Sequence, residues 1–250
     1  LSSDGKNLVS GSWDKTGRIW DLTKNKTTHI LKGHSKDILA VTFSHDERMI
    51  FTGGMDKTLK YWNILGDMKF EEKNIHGWIS CIVNISKGKE KYMAVGSWDS
   101  CVRIFNSDYS SFRTIKGNDY AVTSMSVSEE GDYLFIAYKN GEIKVFSLSY
   151  DESKEDTCRQ SIETNIDVNS ILFESKYFNV YAIGTSKGLQ IREVKGGKLY
   201  EKTFLKPGAK KEKEKFSPCN CLCYDPSKNY LFAGFGDGTI RVFQISGSQN

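Results

Sequence analysis

GSWDKTGRIW, Gly11 to Trp20, decides the fold, because nearly the same phrase returns as GGMDKTLKYW (Gly53–Trp62) and GSWDSCVRIF (Gly96–Phe105). Aligned on the turn residue that follows each small-residue run, Asp14, Asp56, Asp99, Asn140, Lys187 and Asp237 fall into register. The intervals between these anchors are 42, 43, 41, 47 and 50 residues. Before each anchor lies a strand-like run (NLVSGS, MIFTGG, YMAVGS, YLFIAY, VYAIGT, YLFAGF). After each comes an alternating run rich in β-branched residues (GRIWDL, LKYWNI, VRIFNS, IKVFSL, LQIREV, IRVFQI). The polar pairs between them (DK, DK, DS, NG, KG, DG) have hairpin chemistry.

A further strand candidate precedes each pair from the second onward: ILAVTFS, WISCIVNIS, AVTSMSVS, VNSILFE and NCLCYD. A fourth follows the second run, as in KTTHIL and MKFEEK. Four antiparallel strands in a unit of some forty residues make one blade of a β-propeller. Such a sheet cannot bury both faces alone, but blades set face against face can. The expected fold is therefore all-β, a single propeller domain over 1–250 with six repeats near 1–31, 32–74, 75–116, 117–160, 161–205 and 206–250. The stretch Lys206–Pro218, KPGAKKEKEKFSP, has no apolar period and is expected to be a mobile, solvated loop.

Composition narrows the function classes. The chain has 250 residues, 35 basic against 31 acidic, and a net charge of +4. All of that excess sits in residues 1–36, where seven basic residues face Asp4, Asp14 and Asp21. A locally basic end suits an anionic partner or an ordinary solvated face. No apolar run reaches the ~20 residues of a membrane span. Six cysteines without framework spacing favour free thiols in a reducing compartment. Cys219, Cys221 and Cys223 alternate, which places them on one strand face as buried thiols, whereas zinc would want CxxC pairs. No nucleotide loop, HExxH or GxSxG interrupts the repeats, and no cofactor, metal site or catalytic residue is expected.

Gly33–His34, SGSWD and Trp20–Asp21 carry a resemblance to the WD-repeat family. The structural tetrad of that family joins a His before the first strand, a hydroxyl in the second, an Asp in the turn and a Trp in the third. His34, Thr52, Asp56 and Trp62 match it fully; Ser10, Asp14 and Trp20, and separately His76 and Asp99, match it in part. Later units have Val95, Ile136, Ala233, Phe105, Phe146 and Phe243 at hydroxyl and indole positions, so they depend on apolar packing.

Within the family, the first 105 residues and NYLFAGFGDGTIRVFQI are similar to the receptors for activated C kinase, the ribosome-associated, G-protein-β-like scaffolds of eukaryotes. That resemblance implies seven blades, the first lying upstream of Leu1. It implies a cytoplasmic, non-enzymatic scaffold on the small ribosomal subunit, contacting rRNA and ribosomal proteins and docking protein kinase C-type and other signalling proteins. Lys15, Lys36 and Lys57 are the implied phosphate contacts, each otherwise a solvated lysine. The alternative is a G-protein β subunit, or another WD-repeat adaptor acting away from ribosomes.

Overall fold

Apolar residues either alternate with polar ones, as in TGRIWD, or run almost unbroken, as in YLFIAY, so the strands have one or both faces turned to apolar neighbours. The computed structural model describes residues 1–151, 154–174, 180–195, 198–205, 217–225, 227 and 229–244. The stretch 206–216, most of the charged loop, lies outside them. Among the described residues twenty-two strands form six antiparallel meanders, and no helix occurs.

The first sheet is β1 (Asn7–Gly11), β2 (Thr16–Asp21) and β3 (Lys26–Lys32). The second is β4 (Ile38–Phe43), β5 (Met49–Gly54), β6 (Leu59–Asn63) and β7 (Met68–Glu72). The third is β8 (Ile79–Lys87), β9 (Glu90–Ser97), β10 (Cys101–Phe105) and β11 (Ser111–Lys116). β12 (Val122–Val127), β13 (Tyr133–Tyr138), β14 (Glu142–Ser147) and β15 (Thr157–Glu163) make the fourth. β16 (Val168–Glu174), β17 (Val180–Thr185), β18 (Gly188–Lys195) and β19 (Lys198–Leu205) make the fifth, and β20 (Cys219–Tyr224), β21 (Tyr230–Phe235) and β22 (Ile240–Gln244) the sixth.

Contacts divide the chain into two compact units, Leu1–Val122 and Thr123–Asn250. In the first unit, period-two alternation gives the second sheet two apolar faces. Ile50 and Trp62 pack on Val9, Ile19 and Leu31 of the first sheet, while Phe51, Leu59 and Tyr61 pack on Ile79, Met93 and Val95 of the third. Each fully buried side chain of this kind contributes about 1.5–3 kcal/mol against the entropy of ordering it. In the second unit, Phe135, Ile143 and Val145 meet Val168, Ile171 and Ile183 in the same way, and Ala182 and Leu189 meet Cys219, Leu231 and Ala233.

The cysteine expectation fails in one respect. Cys219 is buried, but Cys221 and Cys223 are exposed. The reason is a register slip between Cys219 and Cys221, whose partners on β21 are the adjacent residues Phe235 and Gly234. Such a β-bulge offsets the alternation by one residue. It turns Cys221 and Cys223 to the face opposite Cys219, and half-buried Leu222 packs beside Cys219 instead.

Candidate functional site

The hairpin turns share one backbone feature, although the fifth is a tighter turn that pairs Thr185 directly with Gly188. Lys15, Lys57, Ser100, Gly141, Gly188 and Gly238, each following an anchor, all have positive φ, between 65° and 126°. In the first turn Lys15 N–H reaches the Ser12 carbonyl at 3.2 Å, and Ser12 N–H reaches the Thr16 carbonyl at 3.2 Å. This is a type I turn closed by a left-handed residue, a position that favours glycine. Lysine there costs about 1 kcal/mol or more of backbone strain. Lys15→Gly is therefore expected to raise stability by about 0.5–1 kcal/mol over Lys15→Ala, although both remove the same ammonium. Urea denaturation of the two variants checks this; a glycine variant no more stable than the alanine one would sink the strain argument.

Three loops of the first unit are stitched side by side. Ile38 N–H donates to the Ser12 carbonyl at 3.1 Å, and Met55 N–H to the Asp37 carbonyl at 2.9 Å. The β1–β2 turn, the connection 33–37 and the β5–β6 turn thus form one rim carrying Lys15, Lys36 and Lys57. All three side chains are exposed, and none has a carboxylate partner among the described residues.

Behind this rim, His34, Thr52, Asp56 and Trp62 are brought together. The Trp62 indole N–H donates to Thr52 Oγ1 at 2.8 Å, and Thr52 Oγ1 lies 2.7 Å from His34 Nε2. The Asp56 carboxylate only accepts, so His34 donates to it through Nδ1–H at 2.8 Å, and in that neutral tautomer Nε2 is left to accept the Thr52 hydroxyl proton. Asp56 also accepts the Ser35 N–H at 2.9 Å and the Thr58 hydroxyl at 2.9 Å. Burial by itself would raise the Asp56 carboxyl, but these donors outweigh it and hold the group well below the ordinary carboxylate range.

The partial sets differ. Trp20 Nε1–H donates to Ser10 Oγ at 2.9 Å, while Asp14 is exposed and accepts from the Thr16 amide and hydroxyl. In the third sheet the His76 side chain is exposed, and only its backbone N–H reaches Asp99, at 3.2 Å. Val95 stands where Thr52 does in the second sheet and offers no hydroxyl to an imidazole. Arg103 takes Asp99 instead, through two guanidinium nitrogens at 3.2 and 2.7 Å.

That pairing is a feature the repeat alignment passed over. Asp14–Arg18, Asp99–Arg103 and Asp237–Arg241 approach to 3.8, 2.7 and 3.3 Å, each four residues apart across a turn. The sequence signal, Asp-x-x-x-Arg at the anchor, was present. In the second sheet His34 already occupies the anchor Asp56, and the cation at the same offset, Lys60, turns to Glu71 on β7.

Comparison with known proteins adds the family. The WD domain, G-beta repeat model matches residues 1–21, 25–63, 72–106, 109–147 and 212–244. A guanine nucleotide-binding protein subunit beta-like protein of Encephalitozoon cuniculi is 29% identical over 98% of this chain and 77% of its own length. The small ribosomal subunit protein RACK1y of rice (Oryza sativa subsp. japonica) is 31% identical over 99% of this chain and 74% of its own. The small ribosomal subunit protein RACK1 of Drosophila melanogaster is 31% identical over 98% and 76%. The chain belongs to the WD-repeat family, and its six sheets are blades of the WD-repeat β-propeller class. Within that family it is a RACK1-like scaffold. The fifth sheet falls between the matched stretches; there Lys187 replaces the anchor Asp, yet the four strands form. No helix among the described residues is long and apolar enough to cross a membrane.

Proposed function

We propose that this chain is a cytoplasmic, non-enzymatic scaffold of the small ribosomal subunit, held there by contacts of Lys15, Lys36 and Lys57 with rRNA phosphates. Ribosomal proteins beside that rRNA and signalling proteins of the protein kinase C type are the further partners. The observation that carries the reading is the stitched rim of three exposed, unpaired lysines in a chain whose relatives are named as small-subunit proteins. Ammonium groups on turns position a protein on a phosphate backbone without reading its sequence. The imidazole best placed to act as a base, His34, has both nitrogens engaged within the tetrad, and this supports a binding role over a catalytic one.

The test is co-sedimentation with purified small ribosomal subunits over a salt series, wild type beside Lys15→Glu/Lys36→Glu/Lys57→Glu. Losing up to three phosphate contacts is expected to weaken binding by roughly two orders of magnitude near physiological salt and to flatten the salt slope by about 2–3. Equal pelleting of both proteins would make the lysines bystanders. If neither pellets at low salt, the chain is a WD-repeat adaptor acting away from ribosomes, or a G-protein β-type subunit.

A further inference from the structure

The lysine rim also carries indoles. Trp13 sits in the β1–β2 turn, two residues before Lys15, and at 78% is the most exposed large hydrophobic among the described residues. The equivalent position is Met55 in the β5–β6 turn and Trp98 in the β9–β10 turn. In the second unit the same place holds Lys139, Ser186 and Gly236, so the turn itself requires no large apolar side chain. The third turn continues the rim. A Cβ on Gly53 would meet the Ile79 side chain at 2.3 Å, as one on Gly11 would meet Ile38 at 2.5 Å. The third sheet therefore approaches the second as the second approaches the first. Trp98 N–H donates to the Trp78 carbonyl at 2.8 Å, the counterpart of Met55 N–H on the Asp37 carbonyl.

Trp98 is exposed, and its ring centroid lies 4.5 Å from that of Trp78 with 32° between the planes. The pair is a stack already begun, to which a further flat ring can add. Single apolar side chains scattered on a surface need no explanation, but these recur at matched positions of neighbouring turns.

The order of rings and charges defines the occupant. The centre of a protein–protein interface is depleted of charged residues, whereas here Asp14 and Lys15 follow Trp13 directly and Asp99 follows Trp98. A single nucleic-acid strand alternates flat bases with anionic phosphates, and aromatic side chains set among cations are what such a strand binds. The carboxylates of these loops, Asp14, Asp37, Asp56 and Asp99, stay charged. Arg18 and Arg103 stand beside Asp14 and Asp99, and Lys32, opposite Thr16 at the end of β3, adds to the three rim lysines. Cations thus exceed carboxylates by two at this end of the first unit. We propose that Trp13 and Trp98 are stacking platforms for unpaired nucleotides of the RNA whose phosphates the lysines hold. This rests on the reading of the rim as an rRNA contact, and adds that the RNA it meets is single-stranded there.

The test adds Trp13→Ala/Trp98→Ala to the sedimentation series with small ribosomal subunits. Loss of two stacked bases is expected to weaken binding about tenfold or more with the salt slope unchanged, because stacking releases no counterions, whereas the lysine variant flattens that slope. Trp13→Phe/Trp98→Phe should keep most of the binding, and Trp13→Leu/Trp98→Leu should lose it. A single-stranded decamer of adenylate should quench the tryptophan fluorescence of the full chain at low salt and bind the alanine pair about tenfold more weakly. An alanine pair that pellets like wild type, where the lysine variant does not, leaves the lysine reading standing and overturns this one alone. An alanine pair that loses the subunit but binds the decamer as tightly as wild type gives the indoles to a ribosomal protein and also overturns it. So does a leucine pair as tight as wild type, or a decamer that quenches nothing. If the wild type fails to pellet at low salt, both readings fall together.

Discussion

Trp62→Ala is expected to destabilise the first unit by about 3–5 kcal/mol, a large share of the stability of an ordinary domain. The indole is 1% exposed and packs on Leu31, Ile19 and Ile50, so its loss opens a cavity between two sheets. It also leaves Thr52 Oγ1 without its donor in a buried chain of hydrogen bonds. Thr52→Val separates the two effects, since it keeps the volume and removes only the hydroxyl. That variant strands the Trp62 N–H and His34 Nε2 together and should cost about 2–3 kcal/mol. Chemical denaturation followed by tryptophan fluorescence and circular dichroism measures both. A Thr52→Val protein as stable as the wild type would mean that the tetrad holds nothing.

The same tetrad gives the fold an acid limit. Asp56 has a folded pKa depressed below its unfolded value of about 3.9. Its contribution is therefore complete above that unfolded value and is lost as pH falls through the folded one. Stability should drop below about pH 4 in the wild type. In Asp56→Asn it should already be lower at pH 7 and fall less steeply in acid. Parallel slopes for the two proteins would place the acid sensitivity elsewhere.

The repeat was legible because its parts are local: a hydroxyl ten residues before a Trp, an Asp between them, and a His upstream of a strand. Each is fixed by a hairpin whose register follows from alternation, and Thr52, Asp56 and Trp62 need only β5, β6 and their turn to meet. Other features depend on neighbours that sequence spacing does not name. The bulge that exposes Cys221 is a one-residue offset against β21, invisible in an alternating CNCLC. His76 resembles His34 in position, but its imidazole has no hydroxyl to bind and yields Asp99 to Arg103. The strain at Lys15 and Lys57 follows from matching them with Gly141, Gly188 and Gly238, a comparison the alignment permits but polarity alone does not suggest.

Lys60 is a buried charge in a strand, and Glu71→Ala is the variant that exposes its role. The lysine lies on β6 directly opposite Glu71 on β7, with its side chain 4% exposed and its ammonium bonded to the Glu71 carboxylate. Glu71 is partly solvated and has Lys73 at 3.0 Å as a second partner, whereas Lys60 has no other carboxylate among the described residues. Removing Glu71 therefore strands a buried ammonium and should cost about 3–5 kcal/mol. Lys60→Met should cost much less, about 1 kcal/mol, because Glu71 keeps water and Lys73. The double variant Lys60→Met/Glu71→Leu should come close to wild-type stability, since apolar residues of similar volume avoid desolvating two charges. The Lys60 hydrogen bond chiefly holds the Glu71 carboxyl below its ordinary range, so the pair contributes fully above pH of about 4.3 and is lost in acid. Urea titrations of the three variants at pH 7 decide the matter: equal losses for Glu71→Ala and Lys60→Met would refute the asymmetry, and a double variant as unstable as Glu71→Ala would show that packing, not charge, sets the cost.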